Sequence, residues 1–212
     1  MRIEVIELLR CPAAHESSPL VTVAIRRDGD RLIEATLGCA VCRAEYLLRD
    51  GIAYLGGSGG HSSFDADGVV DPMRIAALLG LGDPGSRVML GGALGGAAAA
   101  IEDATGARCI VANGPRAAAV ETRFDQLVIG DGDAIPLASA SLAGLAVDRT
   151  TIALLADATR VVRSGGRVIA PVYAPVPDGC RELARDNDEW VAEVEVSASA
   201  PVVIQMGRPI TR

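Results

Sequence analysis

The fold is decided by residues 88–96, which read Val-Met-Leu-Gly-Gly-Ala-Leu-Gly-Gly. A short apolar run, a glycine cluster and then an alanine-rich stretch to Thr105 predict a strand, a tight loop and a helix. Four further apolar runs follow, separated by helical or polar segments, at Arg108–Ala112, Gln126–Ile129, Leu142–Val147 and Arg167–Val172. Continuous apolar strands alternating with helices are typical of a parallel sheet that is covered on both faces, so we predict an α/β fold.

Helix signals and a terminal hairpin frame this predicted sheet. Asp71-Pro72 is an N-cap followed by proline at the first helical position, which predicts a helix to about Leu81. A second helix is predicted over 151–163 and ends at a glycine pair, 165–166. The alternating segment 191–197 and the apolar segment 202–206 are close enough in sequence to predict an antiparallel hairpin that closes the sheet.

One break in composition divides the chain. Residues 56–63 read Gly-Gly-Ser-Gly-Gly-His-Ser-Ser, which is typical of a flexible linker. We therefore predict a small β domain over 1–55, a Gly/Ser-rich linker over 56–70, and a larger α/β domain over 71–212.

Composition excludes several classes of function. All 20 basic residues among the 212 are arginine, so chemistry that needs a lysine is excluded, and a GC-rich genome is the simplest cause of that bias. The net charge is −7, so the chain has little positive charge to neutralise phosphates, and its six aromatic residues are few for stacking on bases. We therefore expect no nucleic-acid partner. No apolar run is long enough for a transmembrane helix and no signal peptide is visible, so we expect a cytoplasmic protein.

The N-terminal cysteines indicate a metal site. Cys39 and Cys42 form a C-x-x-C pair, and Cys11 with His15 supplies a second half-site with C-x3-H spacing. These four residues are an acceptable ligand set for tetrahedral zinc, which would be structural because no coordination position is left open. A metal-free β domain with Cys39 and Cys42 as a reduced pair or a disulfide is the alternative, and Cys109 and Cys180 are predicted to be small core residues.

The N-terminal motifs resemble those of the zinc-ribbon family of methyltransferase activators. The resemblance rests on the segments Ile6–Pro12, Leu37–Tyr46 and Arg49–Ala53, and it covers about residues 3–55. The chain departs from the family pattern at Ala14, where a cysteine is usual, and at Leu47 and Ala53, where prolines are usual. The resemblance implies a module that binds and stabilises a methyltransferase, and some family members are fused to one.

Residues 71–208 resemble the class I S-adenosylmethionine-dependent methyltransferases. The order of predicted elements agrees, and Asp133-Ala134-Ile135-Pro136-Leu137 is similar to their D-A-x-x-L-P-F segment. The segment 158–168, Ala-Thr-Arg-Val-Val-Arg-Ser-Gly-Gly-Arg-Val, closely matches A-R-V-L-R-P-G-G-R-L. Together the two resemblances imply a zinc-ribbon-like β domain followed by a Rossmann-like methyltransferase fold.

The cofactor motif departs from that family. Its pattern, D/E-x-G-x-G-x-G, falls on residues 90–96, where Leu90 replaces the acid and Leu94 the middle glycine. At the end of the second strand, where a carboxylate usually binds the ribose, Asn113 and Gly114 are the nearest residues, and Ala143 replaces another acid. The resemblance therefore implies a reduced set of cofactor contacts: Gly92, Gly96, Asn113, Asp133 and Ala134. Tight packing without a ligand is the alternative for the glycine cluster, and a solvated turn is the alternative for Asp131 and Asp133.

These departures predict a non-catalytic or vestigial methyltransferase-like protein. We assign no catalytic residue, and we expect the protein to act as an accessory subunit that binds another protein through its zinc ribbon and its Rossmann-like domain. An active S-adenosylmethionine-dependent methyltransferase with an unusual cofactor site is the alternative. A nicotinamide-binding domain fits less well, because Gly92-Ala93-Leu94-Gly95 is not G-x-G-x-x-G.

Overall fold

Eleven strands form one sheet in the computed structural model, which describes residues 1–56, 70–115, 124–130 and 134–195. The strands are β1 (Leu20–Asp28), β2 (Arg31–Cys39), β3 (Glu45–Arg49), β4 (Ile52–Tyr54), β5 (Arg87–Gly91), β6 (Arg108–Ala112), β7 (Asp125–Val128), β8 (Leu142–Ala146), β9 (Val162–Pro171), β10 (Cys180–Arg185) and β11 (Glu189–Val194). Their order across the sheet is β1-β2-β3-β4-β7-β6-β5-β8-β9-β11-β10.

The seven strands β5 to β11 confirm the predicted fold class. β7, β6, β5, β8 and β9 are parallel, and all of them except β9, whose first half is largely exposed, are nearly continuously buried. β11 pairs antiparallel with both β9 and β10, so a hairpin closes the parallel sheet. Counted within this half, the strand order is 3-2-1-4-5-7-6. The chain therefore has a Rossmann-like methyltransferase fold with a β region before it.

The hairpin lies earlier in the chain than predicted. Its strands are β10 and β11, so residues 191–194 form the second strand of the hairpin and not the first. The first strand was missed because Cys180-Arg-Glu-Leu-Ala-Arg185 carries three charged residues and has no clear alternation. The second predicted strand, 202–206, lies outside the described residues.

The N-terminal strands join the same sheet. β1 to β4 form an antiparallel meander, and β4 then pairs in parallel with β7, with Ile52 opposite Gln126 and Tyr54 opposite Val128. One apolar core runs under both regions, from Leu37 and Leu48 to Leu127 and Leu145. The predicted domain division at 56–70 stays a prediction, and most of that segment lies outside the described residues.

Short helices cover the faces of the sheet. They are α1 (Ile3–Ile6), α2 (Pro72–Leu79), α3 (Ala98–Thr105) and α4 (Ala158–Val161), and 3-10 turns over Gly92–Ala97 and Ile152–Asp157 lead into α3 and α4. The carboxylate of Asp71 accepts hydrogen bonds from the backbone of Met73 and Arg74, as expected of an N-cap. No helix among the described residues is long and apolar enough to cross a membrane.

The N-terminus fills one face of the sheet. The described part of the β7–β8 connection contains no helix, and the fully buried Met1, Val5 and Leu9 belong to the core beside it. Leu9 forms an isolated antiparallel bridge with Leu137, flanked by a hydrogen bond of 2.9 Å from the Arg10 N–H to the Pro136 carbonyl. The segment after α1 is therefore hydrogen-bonded to the methyltransferase-like half.

Candidate metal centre and glycine loop

Four side chains converge at the tip of the N-terminal sheet. One ligand atom each from Cys11, His15, Cys39 and Cys42 lies within 4.8 Å of every other. The Sγ atoms of Cys11 and Cys42 are 3.7 Å apart, and Cys39 Sγ is 3.4 Å from His15 Nε2. The structure thus brings together all four residues that the sequence nominated.

A tight turn positions the C-x-x-C pair. Cys39 ends β2, its N–H donates to the Ala44 carbonyl, and its own carbonyl accepts from the Arg43 N–H, both at 2.9 Å. Arg43 has φ +62°, the left-handed conformation that favours glycine, so the turn is held in a conformation that arginine seldom adopts. This turn places the thiols of Cys39 and Cys42 on the same side.

Neighbouring groups orient the remaining ligands. His15 Nδ1 lies 2.6 Å from the Glu16 carbonyl, which fixes the proton on Nδ1 and leaves the Nε2 lone pair facing Cys39. The Tyr46 hydroxyl lies 3.3 Å from Cys11 Sγ. A hydrogen bond from the Cys42 backbone N–H lowers the pKa of Cys39 to about 6, whereas burial raises the pKa of Cys11. Cys39 is therefore ready to bind a metal as a thiolate.

The spacing of these ligands fits zinc. With Zn–S bonds of about 2.3 Å and Zn–N bonds of about 2.0 Å at tetrahedral angles, two sulfurs lie about 3.8 Å apart and a sulfur and a nitrogen about 3.5 Å apart. The observed 3.7 Å and 3.4 Å agree with both values. Simple packing of two cysteines would not also place the histidine nitrogen at the distance that zinc coordination requires. The donor set therefore fits a four-ligand zinc site.

The glycine loop lies where the carboxyl end of β5 meets the helical turn before α3. Its glycines are packed against side chains of this chain: a Cβ on Gly91 would overlap Thr151, one on Gly92 would overlap Asp148, and one on Gly95 would overlap Val111. Gly96 is exposed and faces open space. Three of the four glycines thus have a packing role.

Asp148 fills the concave side of this loop. Its Oδ2 accepts a hydrogen bond of 2.8 Å from the Ala93 N–H. Its Oδ1 accepts from the backbone N–H and the hydroxyl of both Thr150 and Thr151, at 2.7 to 3.1 Å. The Asp148 carboxylate therefore accepts the hydrogen bond of the Ala93 N–H, a loop donor that could otherwise bind an anionic group of a ligand.

Sequence reasoning missed Asp148. It follows β8 by two residues, at the carboxyl edge of the sheet where ligands of parallel α/β folds bind, and two threonines come close behind it. That position and the Asp-x-Thr-Thr pattern were the available signal. Leu90, at the position of the usual acid, is fully buried and joins the core on the α2 and α3 side.

The other predicted cofactor residues are used in backbone contacts or lie apart. The Asn113 side chain donates from Nδ2 to the Ile129 carbonyl at 3.0 Å and accepts the Ile129 N–H on Oδ1 at 2.8 Å, so it links the ends of β6 and β7. Ala134 is exposed and offers no side-chain polar atom. Asp131 and Asp133 lie outside the described residues.

Arg160 fixes the segment that follows Ala134. Its guanidinium donates to the carbonyls of Ile135 at 2.6 Å and Leu137 at 2.7 Å, and it also pairs with Asp157. The second carboxylate oxygen of Asp157 accepts the Ile135 N–H at 2.9 Å. The two motifs that carried the methyltransferase resemblance are therefore joined to each other.

Solved structures with a related fold are methyltransferases, at low similarity. A geranyl diphosphate C-methyltransferase from Streptomyces coelicolor A3(2), in complex with Mg²⁺, geranyl-S-thiolodiphosphate and S-adenosyl-L-homocysteine, is 17% identical with TM-score 0.39, over 47% of this chain and 41% of that one. A chain from the complex between the Haloferax volcanii Trm112 methyltransferase activator and a methyltransferase is 20% identical with TM-score 0.37, over 47% and 50%. The antibiotic-resistance methyltransferase Kmr is 12% identical with TM-score 0.38, over 61% and 95%.

These similarities carry no argument about activity or partners. The matched region spans half or less of the first two structures. No family model and no curated protein sequence matches the chain. The fold is assigned from the strand order, and the site from its own contacts.

Proposed function

We propose that this protein is a non-catalytic methyltransferase-like protein that acts as an accessory subunit for another protein. The observation that carries the proposal is the Asp148 carboxylate bound to the glycine loop. A site selected for S-adenosylmethionine keeps its loop N–H groups and an acid for the ligand. In this chain, Asp148 bonds the Ala93 N–H, and Leu90 replaces the acid.

The contacts at the ribose end support the same conclusion. A ribose needs acceptors for two hydroxyl groups, and the nearest polar side chain, Asn113, has its amide oxygen and amide nitrogen bonded to Ile129. These contacts support a pocket that is not selected for S-adenosylmethionine, and we derive no methyl-transfer step for the chain.

The proposal includes a structural zinc ion in the N-terminal β region, which would then be a zinc-ribbon unit of the activator type. Cys11, His15, Cys39 and Cys42 would hold the ion, which would supply folding free energy to a unit with a small core of its own. In this chain the β4 edge of that unit is paired with β7 of the same molecule. The external partner would therefore meet other surfaces, and we place the protein in the cytoplasm.

Calorimetric titration tests the non-catalytic function. We expect no heat from S-adenosylmethionine or S-adenosylhomocysteine at millimolar concentration with the wild-type protein. Asp148→Ala should gain weak binding of S-adenosylhomocysteine, because the Ala93 N–H is released, whereas Asp178→Ala, an exposed acid elsewhere, should change nothing. Micromolar binding to the wild type, about −8 kcal/mol, would overturn the proposal.

One observation favours the alternative, an active methyltransferase. Asp148 Oδ2 accepts a single N–H, so it retains a lone pair that could bind the amine of a ligand in place of the missing acid at Leu90. In that case the wild type binds S-adenosylmethionine and Asp148→Ala loses the binding. The same titration therefore separates the two functions, because Asp148→Ala gains ligand binding in the first case and loses it in the second.

Elemental analysis tests the zinc site independently. We expect one zinc per chain in the wild type, and less than a tenth of that in Cys39→Ser. Cys109→Ser is the matched control, because Cys109 is buried in the core on the α3 side and should leave the zinc content unchanged. A metal-free wild-type protein that keeps its full stability in the presence of a chelator would contradict the site.

A further inference from the structure

A small polar pocket lies at the amino ends of β5 and β8, on the opposite edge of the sheet from the glycine loop. The end of α2, the α2–β5 loop, β9 and β11 complete its walls, and we call it the amino-edge pocket. It has a volume of about 140 Å³, below the roughly 300–1,000 Å³ of sites for drug-sized ligands, so it fits a small ion. Its polar lining residues are Asp83, Ser86, Arg163, Arg167 and Glu193.

An excursion near the start of β9 shapes the amino-edge pocket. The first residue of β9 lies opposite Leu142 of β8, and the next residues that pair are Arg167 and Gly144. Residues 163–166 therefore leave the regular ladder opposite a single residue of β8. Because of this excursion, Arg163 and Arg167 line the same pocket although four positions separate them in the sequence.

The guanidinium of Arg167 is held at the end of α2. Its Nη1 donates to the Leu78 carbonyl at 3.0 Å, at a helix C-terminus, which favours a positive charge. Gly80 leaves room for this contact, because a Cβ there would lie 3.2 Å from Arg167 Cζ. An arginine side chain has five N–H donors, and this is the one bond that the Arg167 side chain makes within the described residues. Its remaining donors are available to a ligand in the pocket.

Three other polar side chains of the pocket also have bonding capacity to spare. Over the part of the chain that the structure describes, the side chains of Arg163, Asp83 and Ser86 make no hydrogen bond or ion pair. Glu193 differs, because its carboxylate is paired with Arg181 at 3.1 Å. The pocket thus offers two guanidinium groups and one hydroxyl as donors, and one unpaired carboxylate as an acceptor.

We propose that the amino-edge pocket binds inorganic phosphate in a form that retains a P–OH group. Guanidinium groups bind phosphate oxygens with paired hydrogen bonds, and arginine is the only strong cation that this lysine-free chain has. The Ser86 hydroxyl is a further donor to a phosphate oxygen, and the Asp83 carboxylate accepts the hydrogen bond of the P–OH group. The assignment goes beyond the proposed accessory function and does not depend on it, since none of the glycine-loop residues lines this pocket.

The unpaired carboxylate of Asp83 decides which anion fits. Sulfate has the shape of phosphate but carries no proton at neutral pH, so its oxygens would meet the Asp83 carboxylate with repulsion and without a donor. A phosphate monoester is largely a dianion without a hydroxyl at pH 7, because its second pKa is about 6. Inorganic phosphate retains a hydroxyl in both of its ionic forms at this pH. The pocket should therefore prefer inorganic phosphate to sulfate and to a monoester.

Equilibrium dialysis of the full-length protein against labelled inorganic phosphate, at low ionic strength and pH 7, tests the site. We expect saturable binding of one phosphate per chain. Arg163→Met should weaken this binding about tenfold or more, because it removes charge-assisted hydrogen bonds. Arg49→Met is the matched control, because Arg49 is exposed on β3 and does not line the pocket, and it should leave the affinity unchanged.

Competition with sulfate tests the role of Asp83. In the wild type, sulfate should displace phosphate about tenfold less well than unlabelled phosphate does. Asp83→Asn removes the negative charge and adds an amide donor, so it should bring the two anions to within about twofold of each other. Asp28→Asn, which changes an exposed acid on β1, should keep the wild-type preference.

Both tested side chains, Arg163 and Asp83, are exposed, so circular dichroism should show that the variants fold like the wild type. Absence of saturable phosphate binding by the wild type would overturn the proposal, and so would equal weakening by Arg163→Met and Arg49→Met. A wild type that binds sulfate as well as phosphate would also contradict it. Tighter binding of glycerol phosphate than of inorganic phosphate would make a monoester the ligand and would overturn the assignment as stated.

Discussion

Gly92 and Gly96 are four residues apart in one loop, yet their surroundings differ completely. Gly92 has φ +60°, and a Cβ there would overlap the Asp148 carboxylate, whereas a Cβ on Gly96 would meet nothing within 4 Å. The difference follows from the loop geometry, because Gly92 turns the chain towards the end of β8 and Gly96 faces outward. Within one glycine-rich motif, therefore, the structure requires glycine at one position and tolerates a larger residue at another.

Alanine substitution should separate the two glycines. Gly92→Ala adds left-handed strain of about 1–2 kcal/mol and displaces Asp148, so we expect the free energy of unfolding to fall by about 2 kcal/mol or more. Gly96→Ala should raise it by about 0.5 kcal/mol through the unfolded state. Urea denaturation followed by circular dichroism measures both, and equal effects would contradict the packing role of Gly92.

At the residue scale, sequence reasoning found the converging cysteine and histidine side chains but not the contact between Asp148 and the glycine loop. Cys11, His15, Cys39 and Cys42 could be nominated because ligand spacing constrains a local turn, and the structure brings all four together. Asp148 could not be paired with Ala93, because their contact joins residues 55 apart in sequence and depends on how β5 and β8 align.

Among the elements, the helical turn 158–161 acts through Arg160. Its guanidinium bonds two backbone carbonyls and one carboxylate, and thereby holds the otherwise irregular segment 135–137 against the core. The role of Arg160 in this motif is thus to donate hydrogen bonds to backbone carbonyls that have no partner in a strand or helix.

Replacing Arg160 should therefore destabilise the fold. Arg160→Met keeps the aliphatic stem but leaves the buried Ile135 and Leu137 carbonyls without this donor, so we expect a loss of about 2 kcal/mol in unfolding free energy. Arg163→Met, three residues further on and exposed, should stay within about 0.5 kcal/mol of the wild type. Thermal unfolding of the two variants decides the point, and equal melting temperatures would refute it.

The predicted elements agree best where the strands are buried on both faces. β5, β6, β7 and β8 lie within a residue of their predicted bounds, because a continuous apolar run has a single structural explanation there. The hairpin strand β10 was missed, since an edge strand with half-exposed residues carries no comparable pattern. β9 starts five residues earlier than predicted, because the Ser164–Gly166 segment lies within the strand and does not end the helix.

Across the whole molecule, a buried ion pair joins the N-terminus to the methyltransferase-like half. Arg2 Nε lies 2.6 Å from Asp125 Oδ2 on β7, and its guanidinium also reaches Glu102 on α3 at 3.2 Å. Asp125 is fully buried and Arg2 is nearly so. Breaking such a pair leaves an uncompensated charge in the core.

Asp125→Asn should accordingly cost about 3–5 kcal/mol in unfolding free energy. Asp186→Asn removes the charge from the exposed pair with Arg74 and should cost less than about 1 kcal/mol. The fluorescence of Trp190, the one tryptophan, and circular dichroism should report the same denaturant midpoint, because one core underlies both halves. A similar small cost for the two variants would contradict the role of Asp125.

The joining of the two halves was beyond sequence reasoning. The motifs predicted a β domain over residues 1–55 and individual strands in the α/β domain. The parallel pairing of β4 with β7 joins the backbone edges of these two regions, and no side-chain pattern in the sequence indicates it. The sequence consequently predicted two domains and a linker, and left open how they meet.

That pairing predicts the behaviour of a nicked chain. A protease site inserted within residues 57–69 and then cleaved should leave the two pieces associated on gel filtration, held by the β4–β7 ladder and the Arg2–Asp125 contact. Asp125→Asn in the nicked protein should promote their separation, whereas Asp186→Asn should not. Separation of the nicked wild-type pieces at micromolar concentration would contradict this expectation.

The shared sheet also fixes stoichiometry. When two proteins assemble through a strand edge, the amount of complex follows the scarcer partner, and the surplus exposes a bare edge that invites aggregation. A single chain that contains both edges makes them in equal numbers at every level of synthesis. Its β4 edge is therefore always paired with β7 of the same chain, and is not available to pair with a strand of another protein.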